Sequence, residues 1–183
     1  SFAEQISLQR TERYLRAASA QGPISYRLEN QEILALRSRG NIAIALTSNY
    51  VLALSASDKK FSKQHLDRPH DASLALGKNV AIIYDNYTLY AFSGASSTWQ
   101  ALAVDGEEAC AVGAGYNYAA LLTDRKIVAF LSDSQRFKSH VLRSERLQSL
   151  TLHPHHFVVQ TNKRKIYFST ENAEFSSRSD EEP

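Results

Sequence analysis

The sequence has no methionine, one cysteine, one tryptophan, four prolines and seven glycines among 183 residues. Each shortage excludes something. A single cysteine, Cys110, rules out an intrachain disulfide. A chain without disulfides is more at home in a reducing, intracellular compartment. Paired thiolates for a zinc site are excluded as well. The few glycines form no phosphate-cradling loop. No apolar run reaches the ~18 residues of a membrane-spanning helix, and no signal peptide is visible. A chain that starts at Ser1 and holds no methionine reads as a processed or excised product. Charge of one sign is also missing: 21 Lys and Arg face 19 Asp and Glu, a net charge of +2. That balance makes nucleic acid an unlikely partner.

What is present is a repeat. Leu54, Phe92, Phe130 and Phe168 each lie 38 residues apart, as do Phe61, Trp99, Phe137 and Phe175. Ile44, Ile82, Ala120 and Val158 form a third series, Leu36, Leu74, Val112 and Leu150 a fourth, and Leu52, Tyr90, Val128 and Ile166 a fifth. Polar positions keep the same phase: Asn41, Asn79 and Asn117, then Thr47, Asp85, Thr123 and Thr161. A fixed period of about 20–50 residues marks a solenoid, a propeller or an array. The copies run 31–68, 69–106, 107–144 and 145–182 without a gap. Residues 1–30 match the end of a copy and lack the eight positions of its first strand, and Arg16 and Pro23 interrupt their apolar pattern. A helix over SLQRTERYLRAASA is disfavoured because Leu8, Tyr14 and Leu15 make a poor stripe. Residues 177–183 are apolar-poor and are expected to fray.

Each copy holds four short alternating or apolar segments separated by turns such as Ser48-Asn49, Asp85-Asn86, Asp124-Arg125 and Asn162-Lys163. That makes about nineteen strands. A single four-stranded sheet cannot bury both faces, and stacking such sheets around an axis does so. The expected fold is therefore all-β: one β-propeller domain over 1–182, of about five four-stranded blades. The alternative is a part of a larger propeller. A β-trefoil fits less well, since four and a half copies in phase are too many.

The stretch GYNYAALLTDRKIVAFLSD (115–133) resembles the core of a repeat of the regulator of chromosome condensation type. It has the Gly, the aromatic, Ala-Leu-x-x-Asp, a basic turn and Val-x-x-aromatic. KNVAIIYDNYTLYAFSG shares the pattern. The sequence departs from the family at Phe92-Ser93 and Phe130-Leu131, where the family carries Trp-Gly, and most glycine-rich turns are missing. The resemblance implies a propeller. The family's exchange-factor activity is not implied, because no residue here matches it.

Candidate chemistry is sparse. Cys110 sits in an alternating apolar run and reads as a small buried hydrophobe. His153, His155 and His156 cluster in a turn without the further ligands a metal needs. Asp67, Asp85, Asp105 and Asp124 read as turn formers. No GxSxG elbow occurs. Neither an enzyme nor a cofactor is expected. In a propeller, the turns between second and third strands share a face with the links between blades. Those segments carry Arg68, His70, Tyr87, Arg125, Lys126, Arg143, Arg146, Lys163 and Arg164, the candidate binding residues, with NKRK (162–165) the sharpest basic spot. The expected function is a non-catalytic protein-interaction module or scaffold, whose protein partner docks on this face or completes the propeller. The alternative is a lectin-like propeller binding a glycan. Its cue is the series Phe61, Trp99, Phe137 and Phe175, for which burial between blades is the favoured reading.

Overall fold

A computed structural model describes residues 6–104 and 106–179. Five antiparallel sheets follow one another, each ordered as in the sequence. Blade I holds β1 (Ser7–Arg10), β2 (Tyr14–Ser19) and β3 (Gly22–Arg27). Blade II holds β4 (Ile33–Arg39), β5 (Ile42–Thr47), β6 (Tyr50–Ser55) and β7 (Ser62–His65). A 3-10 turn at Pro69–Asp71 leads to blade III, with β8 (Ser73–Leu76), β9 (Val80–Tyr84), β10 (Thr88–Ser93) and β11 (Thr98–Ala103). Blade IV holds β12 (Ala109–Ala114), β13 (Tyr118–Thr123), β14 (Lys126–Leu131) and β15 (Arg136–Val141). Blade V holds β16 (Leu147–Leu152), β17 (His156–Thr161), β18 (Arg164–Ser169) and β19 (Glu174–Ser179). The described residues thus contain nineteen strands, and the N-terminal stretch is strand rather than helix.

Strand pairing explains two of the repeat series at once. Phe92 pairs with Trp99, Phe130 with Phe137 and Phe168 with Phe175 across the third and fourth strands. Their rings lie 5.2, 4.9 and 4.8 Å apart. Cross-strand aromatic pairs of this kind stabilise a sheet and fix its register.

The core consists of four apolar seams between consecutive blades. Leu15 and Ala17 of blade I pack on Leu52 and Leu54 of blade II. Ile44 and Val51 then meet Ile83 and Phe92. Ile82 and Leu89 meet Leu121 and Phe130, and Leu122 and Ile127 meet Val159 and Phe168. Strands β5, β6, β9, β10, β13 and β14 are consequently buried on both faces. Their near-continuous apolar sequences follow from that double burial.

The end blades differ. In β2, β3, β17 and β18 burial alternates, so only the inward face is covered. The repeat itself changes there. Blade V carries Gln160 where its predecessors have Leu46, Tyr84 and Leu122, and Lys165 where they have Val51, Leu89 and Ile127. Blade I carries exposed Arg16 where the others have Leu54, Phe92, Phe130 and Phe168. The five blades form a β-propeller whose two end faces are polar and solvated.

Backbone hydrogen bonds stitch the blades at the turns after their first strands. Asn41 N donates to Lys78 O (2.9 Å), Lys78 N to Gly115 O (3.1 Å) and Tyr116 N to Pro154 O (2.9 Å). The asparagine series adds a side-chain ladder. Asn41 Nδ2 donates to Asn79 Oδ1 (2.6 Å) and Asn79 Nδ2 to Asn117 Oδ1 (2.8 Å). Room for this approach comes from glycine: a Cβ on Gly77 would lie 2.0 Å from the Gly115 carbonyl oxygen.

Two expectations are corrected. Cys110 is exposed rather than buried. The pairing of β12 with β13 slips between Ala109 and Ala111, so Cys110 is the extra residue of a bulge, outside the alternation. The tail continues as strand past 177: Ser177 and Arg178 pair with Ile166 and Lys165, because backbone pairing to β18 does not require apolar side chains. Asp105, expected in a turn, residues 1–5 of the partial copy and residues 180–183 of the tail lie outside the described residues. No helix of the described residues is long and apolar enough to cross a membrane.

Candidate binding face

The turns between second and third strands are built on one pattern. Thr47 and Thr161 donate from Oγ1 to the carbonyl three residues on, at 2.7 and 3.0 Å, while Thr123 Oγ1 lies 3.1 Å from the corresponding carbonyl and gives its hydrogen to a neighbouring carboxylate. The same oxygen accepts the returning N–H of Tyr50, Lys126 and Arg164. This local hydroxyl-to-backbone bonding is what makes these residues turn formers. Blade III uses Asp85 instead. Its Oδ1 accepts the N–H groups of Tyr87 (3.1 Å) and Thr88 (2.8 Å). Asp85 is fully buried, and its Oδ2 has no hydrogen-bond partner among the described residues. Burial and this nearby carboxylate push the Tyr90 phenol above its ordinary pKa.

Two of the nine candidate residues serve the fold. Lys126 Nζ lies 3.1 Å from Glu107 Oε1, whose carboxylate also accepts from Thr123 Oγ1 (2.5 Å). Arg164 Nε donates to Glu145 Oε1 at 2.7 Å, and Nη1 donates to Ser177 Oγ at 3.1 Å. The two glutamates are 38 residues apart, as are the two cations. In blade II the uncharged Gln31 takes the same place and accepts from Ser48 Oγ and Asn49 Nδ2. Sequence reasoning missed these latches, although the shared spacing of Glu107 and Glu145 was a visible signal. Beside Arg164 lies His140, Nε2 to Nη2 at 3.4 Å. Burial first, then the Arg164 charge, hold the His140 pKa below its ordinary value.

The other seven face solvent. The Arg68 guanidinium lies over the Tyr87 ring, 4.3 Å from its centroid. Tyr87 is 47% exposed. Arg125 sits 3.8 Å from Asp124 with both side chains exposed. Arg146 is tied to Asn162, the chain neighbour of Lys163: Asn162 donates N–H to Arg146 O (3.0 Å) and accepts Arg146 N–H on Oδ1 (2.8 Å). His70 and Arg143 are exposed on the links before blades III and V. The structure therefore brings two of the candidate side chains into contact, Arg68 with Tyr87, and sets the Arg146 backbone against that of Asn162, beside Lys163.

The aromatic series does not form a sugar platform. Phe61 is buried in the seam between blades I and II, and Trp99, Phe137 and Phe175 pack on the three that follow. Trp99 also donates Nε1–H to Ser62 O at 3.4 Å. In the histidine turn, the rings of His153 and His156 stack at 4.2 Å and His155 meets Tyr116 edge-on.

No family model and no curated protein matches the chain. Similar solved structures include the N-terminal domain of Nup159, 14% identical with a TM-score of 0.42 over 97% of this chain. The Neurospora crassa Pan2 WD40 domain is 10% identical with a TM-score of 0.42 over 96% of it. AztD from Citrobacter koseri in its apo form is 11% identical with a TM-score of 0.49, again over 96%. The chain spans 62%, 64% and 60% of those three chains. Likeness at this level bears on neither activity nor partner.

Proposed function

We propose that this chain is a non-catalytic interaction module that docks a protein partner on the face carrying the turns between second and third strands. One observation carries the reading. After Glu107 and Glu145 have taken Lys126 and Arg164, that face still presents Arg68 stacked on exposed Tyr87, with Arg146 and Lys163 also exposed. Arginine and tyrosine are the residues that most often anchor protein interfaces. The resemblance of 115–133 to regulator of chromosome condensation type repeats is compatible with this role. A partner that completes the propeller would instead meet the end faces, whose Arg16 and Lys165 call for an acidic surface.

The test is affinity capture with the parent chain and an Arg68→Glu/Arg146→Glu double variant, with captured proteins identified by mass spectrometry. A defined protein held by the parent and lost by the variant is the expected result. A protein held equally by both, or binding on a glycan array with no protein captured, overturns the reading.

A further inference from the structure

The first strands of successive blades, β4, β8, β12 and β16, lie side by side on the inner wall. Their sequences are ILALRSR, SLAL, ACAVGA and LQSLTL, which contain no Asp or Glu. Their only charged side chains are Arg37 and Arg39. The repeat makes this pair distinctive. At the position of Arg37 the later blades have Ala75, Gly113 and Thr151, and at that of Arg39 they have Gly77, Gly115 and His153. One blade supplies two cations, and the blades beside it supply small residues that leave space before them.

That space is a trough. A cavity of about 370 Å³ is lined by Arg37, Arg39, Leu74, Ala75, Gly113 and Leu152, among others. A second, of about 200 Å³, shares Arg39 and Leu152 and continues toward Tyr116 and His153. Among the described residues, none lining either cavity is acidic. Leu152 is 40% exposed and leans over Gly113, where a Cβ would lie 2.6 Å from its Cδ1. Arg39 is held in place by an Nη1 hydrogen bond to Leu76 O at 3.0 Å across the seam between blades II and III. Arg37 is exposed, and its Nη1 donates to the adjacent Leu36 carbonyl (3.0 Å).

We infer that this trough binds a short extended peptide in which carboxylate side chains flank a leucine-sized apolar one. The carboxylates would meet the Arg37 and Arg39 guanidiniums, whose forked donors match a carboxylate in two-point geometry. The apolar side chain fills the small-residue floor between Leu74 and Leu152. An apolar cleft with a few fixed polar groups is the usual form of a ligand site. Two contiguous cavities along several strands suit a chain segment better than a single small acid. The trough is built from first strands, not from the turns that carry the proposed docking face, so the two sites stand or fall separately.

The experiment is fluorescence anisotropy with a labelled peptide of alternating Leu and Glu, and a Leu-Lys peptide of equal length as control. Saturable binding of the Glu peptide alone is expected. Arg37→Ala should weaken it about tenfold or more, since both charge-assisted hydrogen bonds of the fork are lost. Arg37→Glu should abolish it, and both variants should melt like the parent because the side chain is exposed. Arg68→Glu, on the docking face, should leave it unchanged. Equal binding of the Lys peptide or of an oligothymidine, indifference to Arg37→Glu, or no saturable binding overturns the inference.

Discussion

Arg164 reaches Glu145 over 2.7 Å, and this one hydrogen bond turns the most basic turn of the sequence into part of the framework. The Glu145 side chain is only 5% exposed, and its second oxygen, Oε2, is buried without a partner among the described residues. Removing the guanidinium would strand that carboxylate. Arg164→Ala should therefore cost about 1–3 kcal/mol of stability in urea unfolding. Lys163→Ala, one residue away and exposed, should leave the midpoint within about 0.5 kcal/mol. Equal effects of the two variants would contradict the latch.

His140 makes part of the stability pH-dependent. Its pKa is lower in the folded chain than the usual ~6.5. The unfolded chain therefore binds the proton more readily. This contribution is fully present above the unfolded pKa and is lost as pH falls from there through the folded value. Between about pH 7.5 and 5.5 the urea midpoint should drop. The drop should shrink in His140→Gln. It should also shrink in Arg164→Ala, where the neighbouring positive charge is gone. A parent and a His140→Gln variant with the same pH profile would refute the assignment.

Gly77→Ala tests the stitching between blades. The added methyl would lie 2.0 Å from the Gly115 carbonyl oxygen, which is backbone held by Lys78 N–H. The turn has to move, and the expected loss is about 3 kcal/mol. Gly22→Ala is the control for strain without a clash: its φ is +100° but nothing lies within 4 Å of its Cβ. Its loss should be smaller, seen as a higher melting temperature than that of Gly77→Ala.

Asp85→Thr should stabilise the chain. Threonine already fills this turn position in blades II, IV and V and satisfies the backbone without a buried carboxylate. A gain of about 1 kcal/mol corresponds to a melting temperature about 2–4 °C higher for a chain of this size. A lower melting temperature would mean that the carboxylate has a compensating role.

The polar end faces predict what happens when their polarity is removed. Lys165→Ile with Gln160→Leu restores to blade V the residue types of the interior seams. An exposed apolar sheet face of that kind drives association. Light scattering should show a concentration-dependent dimer or larger species for the variant and not for the parent.

The repeat was legible because it runs without a gap, so one subtraction aligned strands, turns and seam positions together. The cross-strand pairing of Phe92 with Trp99 was already present as two parallel series. The bulge at Cys110 was not legible, because a single extra residue leaves an apolar alternation intact on paper. Lys126 and Arg164 were misjudged for a different reason. Turn placement indicates exposure, but their glutamates come from the link before the blade, 19 residues earlier. Arg37 and Arg39 were not legible as a pair, because the Arg39-Gly40-Asn41 sequence reads as a turn and separates Arg39 from the strand that holds both. Their departure from the repeat was the available clue.

Each apolar seam joins a blade only to the next one along the chain, which gives the molecule the statistics of a short one-dimensional lattice. Blades II, III and IV each give up two seams when they open and blades I and V one, so opening costs least at blades I and V. A substitution in one seam should be felt by its two blades and fade with distance along the row.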